Sequence, residues 1–232
     1  MKILQNTKKK IDKIYHISDV HIRLIHRKDE YLTVFKNLYQ FLNEKKCENS
    51  IIVITGDLLH SKLELSPECC DITFDFLKTL CNFFPVILIA GNHDALLNNL
   101  SRTDSISSIL YHRYISNLYY LKETNVYQFE NIAFYVESLI DKSDKTLKNL
   151  NFDIDESLIK IGLYHGQISG WKNCNGYISE SGEKNLNDIP KFEYTLLGDI
   201  HKYQFMAENI AYAGSLISQN YGETNPEHGV LI

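Results

Sequence analysis

The sequence predicts an α/β protein in which strands and helices alternate around a mostly parallel sheet. Three apolar, strand-like runs, at 14–18, 51–54 and 86–89, are separated by two stretches with helical periodicity. Strand, helix, strand, helix, strand is the order that builds parallel βαβ units. The 232 residues, 44% of them hydrophobic, are enough for one large domain, or one domain with a small appendage, and an ample core.

The helices are predicted from apolar spacing and from a start pattern. Within residues 28–45, apolar side chains recur at three- and four-residue intervals and give one stripe. Ser66 and Pro67 form a helix start, a capping hydroxyl followed by proline at the first helical position. This helix continues to residue 83, and a shorter one is expected around 103–112. The first stripe consists of Leu32, Phe35, Tyr39 and Leu42.

The second half of the chain has shorter strand-like runs. Brief links join the first three, which favours antiparallel pairing, and the last two form a hairpin. Residues 167–191 are rich in Gly, Asn, Ser and Glu and are expected to form a long functional loop. The first twelve residues are expected to be a loose basic lead-in, and 229–232 the start of another strand. The predicted strands are 117–121, 126–129, 132–136, 159–164, 194–197, 203–206 and 210–213.

The composition excludes some classes of protein and favours an intracellular one. A net charge of −5 argues against a generic basic nucleic-acid coat, but it is compatible with an enzyme that holds phosphate through metal ions. No secretory leader follows Met1, and no apolar run approaches the roughly 18 residues of a membrane span. The five cysteines are odd in number and form no CxxC pair, which is typical of a reduced protein. We expect a cytoplasmic location, or a nuclear or viral-factory one if the source is eukaryotic or viral.

Five strand-like runs end in side chains that bind metal ions well. In open α/β sheets, functional sites form at the carboxyl ends of the strands. Side chains two residues apart on an extended segment point the same way, so Asp19 and His21 can meet one ion together. Asp199 and His201 can likewise bracket a pair of ions. The strand-end residues are Asp19 and His21, Asp57, Asn92 and His93, His165, and Asp199 and His201.

The ligand set is mixed and fairly hard. Carboxylate, amide and imidazole ligands suit Mn²⁺, Fe²⁺ or Zn²⁺ better than metals selected by thiolates. Seven of these eight residues already exceed the needs of one ion and predict a two-metal site with a shared carboxylate. A single strand-end aspartate is an ordinary turn residue more often than a ligand, by about three to one. Independent turns, however, would not repeatedly place ligands at one edge of a sheet.

The other histidines are expected to lie outside the ligand set. Of the two nearest the motifs, His60 is the stronger functional candidate, and His16 is expected to be packed or solvated. His26, His112 and His228 are expected at the surface.

Together the motifs resemble those of the calcineurin-like metallophosphoesterases: DxH, GD, GNH(D/E), a lone His, and G(H/D)xH. The resemblance extends over nearly the whole chain. It implies a four-layer α/β/β/α sandwich of two mixed sheets flanked by helices, formed by residues 1–232 as a single domain. The motifs occur here in order as Asp19-Val20-His21, Gly56-Asp57, Gly91-Asn92-His93-Asp94, His165 and Gly198-Asp199-Ile200-His201.

The resemblance also implies a role for each residue. Asp57 is implied to bridge two divalent ions, most often Mn²⁺, with Mg²⁺, Fe²⁺ or Zn²⁺ as alternatives. His93, held by Asp94, is implied to be the general acid and not a ligand. The implied ligands are Asp19, His21, Asp57 and His201 for one ion, and Asp57, Asn92, His165 and Asp199 for the other.

Within the family, the chain resembles the SbcD-type DNA repair nucleases in four segments, 56–60, 164–166, 213–216 and 219–223. The resemblance implies a Mn²⁺-dependent nuclease, a double-strand 3′–5′ exonuclease and single-strand endonuclease, that acts in DNA repair or recombination. It also implies a Rad50/SbcC-like ATPase partner and a homodimer. The alternative is a compact phosphodiesterase or phosphatase for small-molecule or RNA substrates. A non-enzymatic scaffold is a third class, against which the complete ligand set argues.

Two features depart from the nuclease pattern. Asp199 stands where the nucleases mostly have histidine, and it adds a third carboxylate to the ligand set. The chain also ends before the DNA-binding cap and ATPase-docking segment of the full nucleases, so both are expected to be absent from it.

Overall fold

The computed structural model describes residues 1–24, 27–150, 154–220, 223 and 227–232. Within these residues, two β-sheets pack face to face, and the α-helices lie on the outer face of the smaller sheet. The helices are α1 (Lys28–Glu44), α2 (Pro67–Phe83) and α3 (Ser105–Leu110). The strands are β1 (Lys2–Gln5), β2 (Lys13–Ile17), β3 (Ser50–Thr55), β4 (Val86–Ile89), β5 (Leu118–Tyr120), β6 (Asn125–Phe129), β7 (Ile132–Glu137), β8 (Ile159–His165), β9 (Tyr194–Gly198), β10 (Gln204–Ala207) and β11 (Ile210–Tyr212).

The smaller sheet has the order β2-β3-β4-β5, and every neighbouring pair is parallel. The predicted βαβ alternation is therefore confirmed. The expectation of antiparallel pairing is wrong for β5, because α3 lies between β4 and β5 and the chain returns in the same direction. Near the chain end, Leu231 forms an antiparallel bridge with His16 of β2, where a further strand was expected.

The larger sheet is mixed and has the order β1-β6-β7-β8-β9-β11-β10. The predicted pairs β6–β7 and β10–β11 are antiparallel, and the remaining neighbours are parallel. The loose lead-in expected at the start of the chain is wrong for Lys2–Gln5, which pairs with β6 as an edge strand. The lysines at 8–10 are exposed, as expected.

Alternating side chains separate the layers of the sandwich. In β3, Ile52 and Ile54 face the helices, whereas Ile51 and Val53 face the other sheet. The outer face of the larger sheet is covered by loop residues such as Ile168 and by the 3₁₀ turn Leu147–Asn149. The four-layer sandwich is confirmed, but the named strands of the smaller sheet are all parallel instead of mixed, and turns and loops replace helices in the fourth layer of the described residues.

The predicted helix signals are confirmed with one shift. Ser66 accepts a hydrogen bond from the Cys69 backbone N–H at 3.2 Å, so it caps α2 as expected. In α1 the stripe is confirmed at Phe35 and Leu42, whereas Tyr31 and Leu38 are buried in place of Leu32, which is 44% exposed, and Tyr39. None of the helices in the described parts of the chain is both long and apolar enough to cross a bilayer. The buried residues of α1 are Tyr31, Phe35, Leu38 and Leu42.

Candidate metal centre

The predicted ligands meet at one end of the sandwich, at the carboxyl ends of strands from both sheets. The segments after β2, β3 and β4 come from the smaller sheet, and the ends of β8 and β9 come from the larger one. The sheets approach closely here, because a Cβ on Gly91 would lie 2.6 Å from Cε1 of His165. Only glycine fits at this position, and the missing side chain lets the two sheets share one site.

Left-handed backbone conformations are concentrated among these ligands. Eight described non-glycine residues have positive φ, and four of them are the predicted ligands Asp19 (51°), His21 (49°), Asp57 (51°) and Asp199 (94°). Such conformations cost free energy and accumulate at functional sites, where the surrounding structure holds them in place. The strand ends are therefore sharp turns that aim side chains inward.

One cluster of donors surrounds His21. Its Nε2 lies 3.0 Å from Nε2 of His201 and 3.4 Å from Oδ2 of Asp57. Oδ1 of Asp19 lies 3.8 Å from Nε2 of His21 and 3.9 Å from Nε2 of His201. Two imidazole nitrogens and two carboxylates that converge in this way fit one divalent cation.

A second cluster surrounds His165. Its Nε2 lies 3.5 Å from Oδ1 of Asp57 and 3.8 Å from Oδ1 of Asp199. The amide nitrogen of Asn92 is 3.4 Å from Oδ1 of Asp199. Nε2 of His165 and Oδ1 of Asn92 are buried, and neither has a hydrogen-bond partner among the described residues. Buried polar atoms without partners are costly, so a cation that accepts both lone pairs fits this cluster.

Asp57 faces both clusters. Its Oδ2 is directed toward His21 and its Oδ1 toward His165. This is the arrangement that a carboxylate shared by two ions requires. All seven predicted ligands thus lie in the two clusters, and the donor set suits a pair of divalent cations.

Burial and neighbouring charges set the protonation of these groups. Burial alone would raise the pKa of Asp57, but His165 beside it lowers that pKa well below its usual range. Burial lowers the pKa of His165, yet Asp57 and the other carboxylates raise it to about 10. Burial raises the pKa of Asp19 to about 6 and lowers that of His21 to about 3. A cation that binds near neutral pH must therefore displace a proton from His165, and below about pH 6 one from Asp19 as well.

Two of the histidines are oriented by hydrogen bonds from their other ring nitrogen. Nδ1 of His165 lies 2.7 Å from the carbonyl oxygen of Thr55, and Nδ1 of His201 lies 2.8 Å from Oε1 of Glu223. Such partners present Nε2 to a metal ion. Glu223 occurs in the segment that resembles the nucleases, but nothing in the sequence assigned it to the site.

His93 lies beside the two clusters. Its backbone N–H donates to Oδ1 of Asp57 at 2.8 Å, and its ring centroid lies 4.8 Å from that of His21. Nδ1 of His93 is 2.7 Å from the carbonyl oxygen of His60. Ligand atoms of His21, His60 and His93 lie within 4.8 Å of one another, so these three residues could also hold an ion, and the proton-transfer role of His93 stays a prediction.

The expected support of His93 by Asp94 is wrong. The Asp94 side chain is fully buried and turned away, and it accepts backbone N–H groups from Leu58, Leu59 and Gly91 at 2.9–3.2 Å. Those N–H groups belong to the tight turns after β3 and β4 and need an acceptor. Asp94 therefore joins the two turns, and the His60 carbonyl orients the His93 ring.

The other histidines differ in their surroundings. His60 lies outside both clusters, with its ring 5.7 Å from that of His93, and His16 is buried at 2.8 Å from Oγ1 of Thr55. His112 is exposed as expected, whereas His228 is half-buried against Ser215, so the surface prediction for it is wrong. His26 lies outside the described residues.

Comparison with known proteins places this chain among phosphoesterases. Residues 12–227 match the family model described as calcineurin-like phosphoesterase. The chain is 44% identical to an uncharacterized protein of Acanthamoeba polyphaga mimivirus, in a match that covers 100% of this chain and 18% of that protein. It is 25% identical to a protein of Invertebrate iridescent virus 6 whose name assigns it provisionally to the phosphoesterases. That match covers 95% of this chain and 75% of the viral protein.

A bacterial relative is also similar. The chain is 25% identical to a component of the nuclease SbcCD of Staphylococcus saprophyticus, over 95% of this chain and 65% of that protein. The matched region is thus a small part of the mimivirus protein and about two thirds of the bacterial one. Because the family match extends over all but the two ends of the sequence, this chain belongs to the calcineurin-like phosphoesterases, hydrolases that typically bind divalent metal ions.

Proposed function

We propose that this chain is a Mn²⁺-dependent DNA nuclease domain of the SbcD type, with double-strand 3′–5′ exonuclease and single-strand endonuclease activity. The observation that carries the proposal is the double donor cluster with Asp57 turned toward both halves. The similarity to a component of a nuclease supports DNA as the substrate. DNA repair or recombination is the process in which such a nuclease would act.

The chemistry follows from the positions of the residues. Two bound cations would supply a hydroxide from water and neutralise charge on the phosphate. The attacking oxygen forms a bond to phosphorus while the bond to the leaving oxygen breaks with its electron pair, and His93 gives that oxygen a proton. The products are a 3′-hydroxyl and a 5′-phosphate. The His60 carbonyl holds Nδ1 of His93, so Nε2 is the nitrogen that exchanges a proton with the substrate.

The partners follow from the same similarity. We propose a Rad50/SbcC-like ATPase as the partner protein and a second copy of this chain as a dimer partner. Exposed aromatic side chains just after α3 support the dimer, because Tyr111 is 72% and Tyr114 89% exposed. Large apolar side chains left in solvent are typical of surfaces that contact another protein.

The decisive experiment measures cleavage of labelled linear duplex and single-stranded DNA with Mn²⁺ or Mg²⁺. We expect wild-type protein to cleave with Mn²⁺ and the Asp57→Ala variant to be inactive, because both clusters lose a shared carboxylate. The His93→Gln variant should keep its metal ions and lose activity, which separates catalysis from a scaffolding role. Wild-type protein that binds Mn²⁺ and leaves both DNA substrates intact would contradict the proposal.

The second candidate is a compact phosphodiesterase or phosphatase for small-molecule or RNA substrates. The net charge of −5 favours it, since an acidic surface repels long polyanions. The two candidates separate when cleavage of DNA on a gel is compared with hydrolysis of a chromogenic phosphodiester. Rapid hydrolysis of the small substrate without DNA cleavage would favour the second candidate.

A further inference from the structure

A groove beside the metal centre contains an arginine that the two donor clusters do not use. The groove has a volume of about 930 Å³ and is lined by the segments after β2 and β3 and by residues 218–220. Arg23 lies at its wall next to His60.

Backbone pairing brings Arg23 to this place. Beyond the metal-binding turns, Ile22 and Leu59 form a parallel bridge. The N–H of Ile22 donates to the Leu58 carbonyl at 2.9 Å, and the N–H of His60 donates to the Ile22 carbonyl at 3.2 Å. The segments after β2 and β3 therefore run side by side beyond the predicted ligands. The first then carries Arg23 and the second His60.

The Arg23 guanidinium lies near one acidic side chain, Glu30, whose pKa Arg27 lowers with the help of the Arg23 charge. Nη1 lies 3.2 Å from Nε2 of His60, and Nη2 donates to the Gln219 carbonyl oxygen. The buried Nε has no hydrogen-bond partner among the described residues. No carboxylate in the described parts of the chain comes within the 4.0 Å that defines an ion pair with Arg23. A cation in such a place has donors available for an incoming anion.

Three acidic residues line the same groove: Glu64 is exposed, and Glu30 and Glu223 are engaged by other groups. Glu30 accepts two hydrogen bonds from Arg27 at 2.6 and 2.8 Å, so that neighbouring arginine is neutralised. Glu223 is bonded to His201 at 2.8 Å and to the Gln219 backbone N–H at 2.7 Å. Arg23 is therefore the groove cation best suited to bind a ligand phosphate.

The position of Arg23 shows which phosphate it would meet. The His60 ring lies 5.8 Å from the ring of His21, and the Arg23 guanidinium hydrogen-bonds to His60 and Gln219 and, among the described residues, to no member of the donor clusters. A group that reaches the guanidinium from the metal centre must therefore extend beyond the phosphate held by the metal ions. A strand of nucleic acid has a second phosphate at the next nucleotide, whereas a simple phosphomonoester has none.

We infer that Arg23 binds the backbone phosphate adjacent to the scissile one, so that this site selects polynucleotide strands over single phosphoesters. The nucleic-acid part of this inference rests on the proposed nuclease function. Arg23 is a binding residue here, and the proton transfer remains with His93. A charge-assisted, forked contact of this kind raises affinity by about 10- to 100-fold.

The test compares two ligands of the Mn²⁺-loaded full chain by calorimetry: thymidine 3′,5′-bisphosphate and thymidine 5′-monophosphate. We expect the wild type to bind the bisphosphate about 10- to 100-fold more tightly, and Arg23→Gln to lose that preference. The matched control Arg113→Gln removes an exposed arginine paired with Asp71 and should keep the preference. An equal preference in wild type and Arg23→Gln, or no preference in the wild type, overturns the inference.

A second variant keeps the test decisive if Arg23→Gln is misfolded. If Arg23→Gln does not fold, Arg23→Lys decides, because it keeps the charge and loses the fork. A preference reduced several-fold supports the inference, and an unchanged preference overturns it.

Cleavage of labelled DNA by the same proteins separates the proposed Arg23 site from the proposed nuclease function. DNA cleavage without a bisphosphate preference overturns the Arg23 site alone. A bisphosphate preference without DNA cleavage overturns the nuclease function and leaves the anion site in place.

Discussion

Glu223 shows how one residue outside a ligand set can control it. Its carboxylate lies 2.8 Å from Nδ1 of His201, and the other oxygen accepts the Gln219 N–H at 2.7 Å, so the carboxylate is fixed at both ends. A carboxylate in this position makes a histidine a more basic ligand and fixes its orientation.

Replacing this carboxylate should weaken metal binding. We expect Glu223→Gln to lower Mn²⁺ affinity by about 10- to 100-fold, because the amide neither attracts the imidazole proton nor holds the ring as firmly. Calorimetric titration with Mn²⁺ measures the effect. Glu208→Gln, at an exposed glutamate, is the control and should bind Mn²⁺ like the wild type. Equal affinities for both variants would contradict the role of Glu223.

Asp199 is the residue that departs from the nuclease pattern. It supplies an oxygen 3.8 Å from Nε2 of His165, where a histidine would supply a neutral nitrogen. We expect Asp199→His to bind Mn²⁺ more weakly, because a hard cation loses an anionic oxygen ligand, and to retain a phosphate product more strongly. Calorimetry and product inhibition measure these two effects, with the exposed Asp12→His as control. Unchanged or higher Mn²⁺ affinity would reject this account of Asp199.

The sequence predicted the residues of the two donor clusters but not the groups that orient them. Aspartate and histidine at strand ends are recognisable by residue type, so the strand-end side chains of both clusters were foreseen. The acceptors for His93 and His165 are backbone carbonyls of His60 and Thr55, which every residue possesses. A sequence does not show which backbone carbonyl accepts a hydrogen bond. The sequence motif therefore assigned the support of His93 to the neighbouring Asp94.

At the scale of elements, β1 illustrates a strand held by distant side-chain contacts. Glu130, in the turn between β6 and β7, is 3% exposed and accepts the backbone N–H groups of Thr7 and Lys9 at 2.8 and 3.1 Å. It also accepts from the Thr7 hydroxyl at 2.7 Å and the Gln5 amide at 2.9 Å. One buried carboxylate thus ties the segment after β1 to the larger sheet.

Removing this carboxylate should release the first strand. We expect Glu130→Ala to lower the free energy of unfolding by about 1–3 kcal/mol, because the four hydrogen bonds accepted by this buried carboxylate are lost. Hydrogen exchange should become faster at residues 2–9, and denaturant titration gives the stability. Glu123→Ala removes only an exposed ion pair with Lys2 and should cost less than about 1 kcal/mol. Similar losses for the two variants would show that the Glu130 contacts are not specific.

The elements with strong local patterns were predictable, and those fixed by distant contacts were not. α2 has its cap, proline and apolar spacing within one stretch, and β3 is a continuous apolar run. β1 lacks such a pattern, since Ile3 is 64% exposed and the partner of the strand lies more than a hundred residues away. The parallel direction of β5 depended on the connection through α3, which brief links alone did not reveal.

At the scale of the whole molecule, the metal centre joins the two sheets. Asp57 comes from the smaller sheet and His165 from the larger one, and Asp57 is the group that both donor clusters share. Loss of Asp57 should therefore affect both halves of the site, whereas loss of Asn92 should affect one.

This difference is measurable as a metal stoichiometry. We expect two Mn²⁺ ions per wild-type chain, none bound tightly by Asp57→Ala, and one by Asn92→Ala, because Asp57 faces both clusters and Asn92 lies in one. Equilibrium dialysis with metal analysis gives the counts, and circular dichroism confirms the fold of each variant. One tightly bound ion in Asp57→Ala would show that the bridge is not essential.

The ligands are spread along the chain from Asp19 to His201, and both sheets contribute to them. During synthesis, the parallel strands β2, β3 and β4 emerge before β8 and β9, so Asp19, His21, Asp57 and Asn92 are at first without their counterparts. His165 and Asp199 follow with β8 and at the end of β9. A ribosome-bound chain that ends before β9 therefore has no complete site, and hydrolytic competence arises only when nearly all of the domain has been translated.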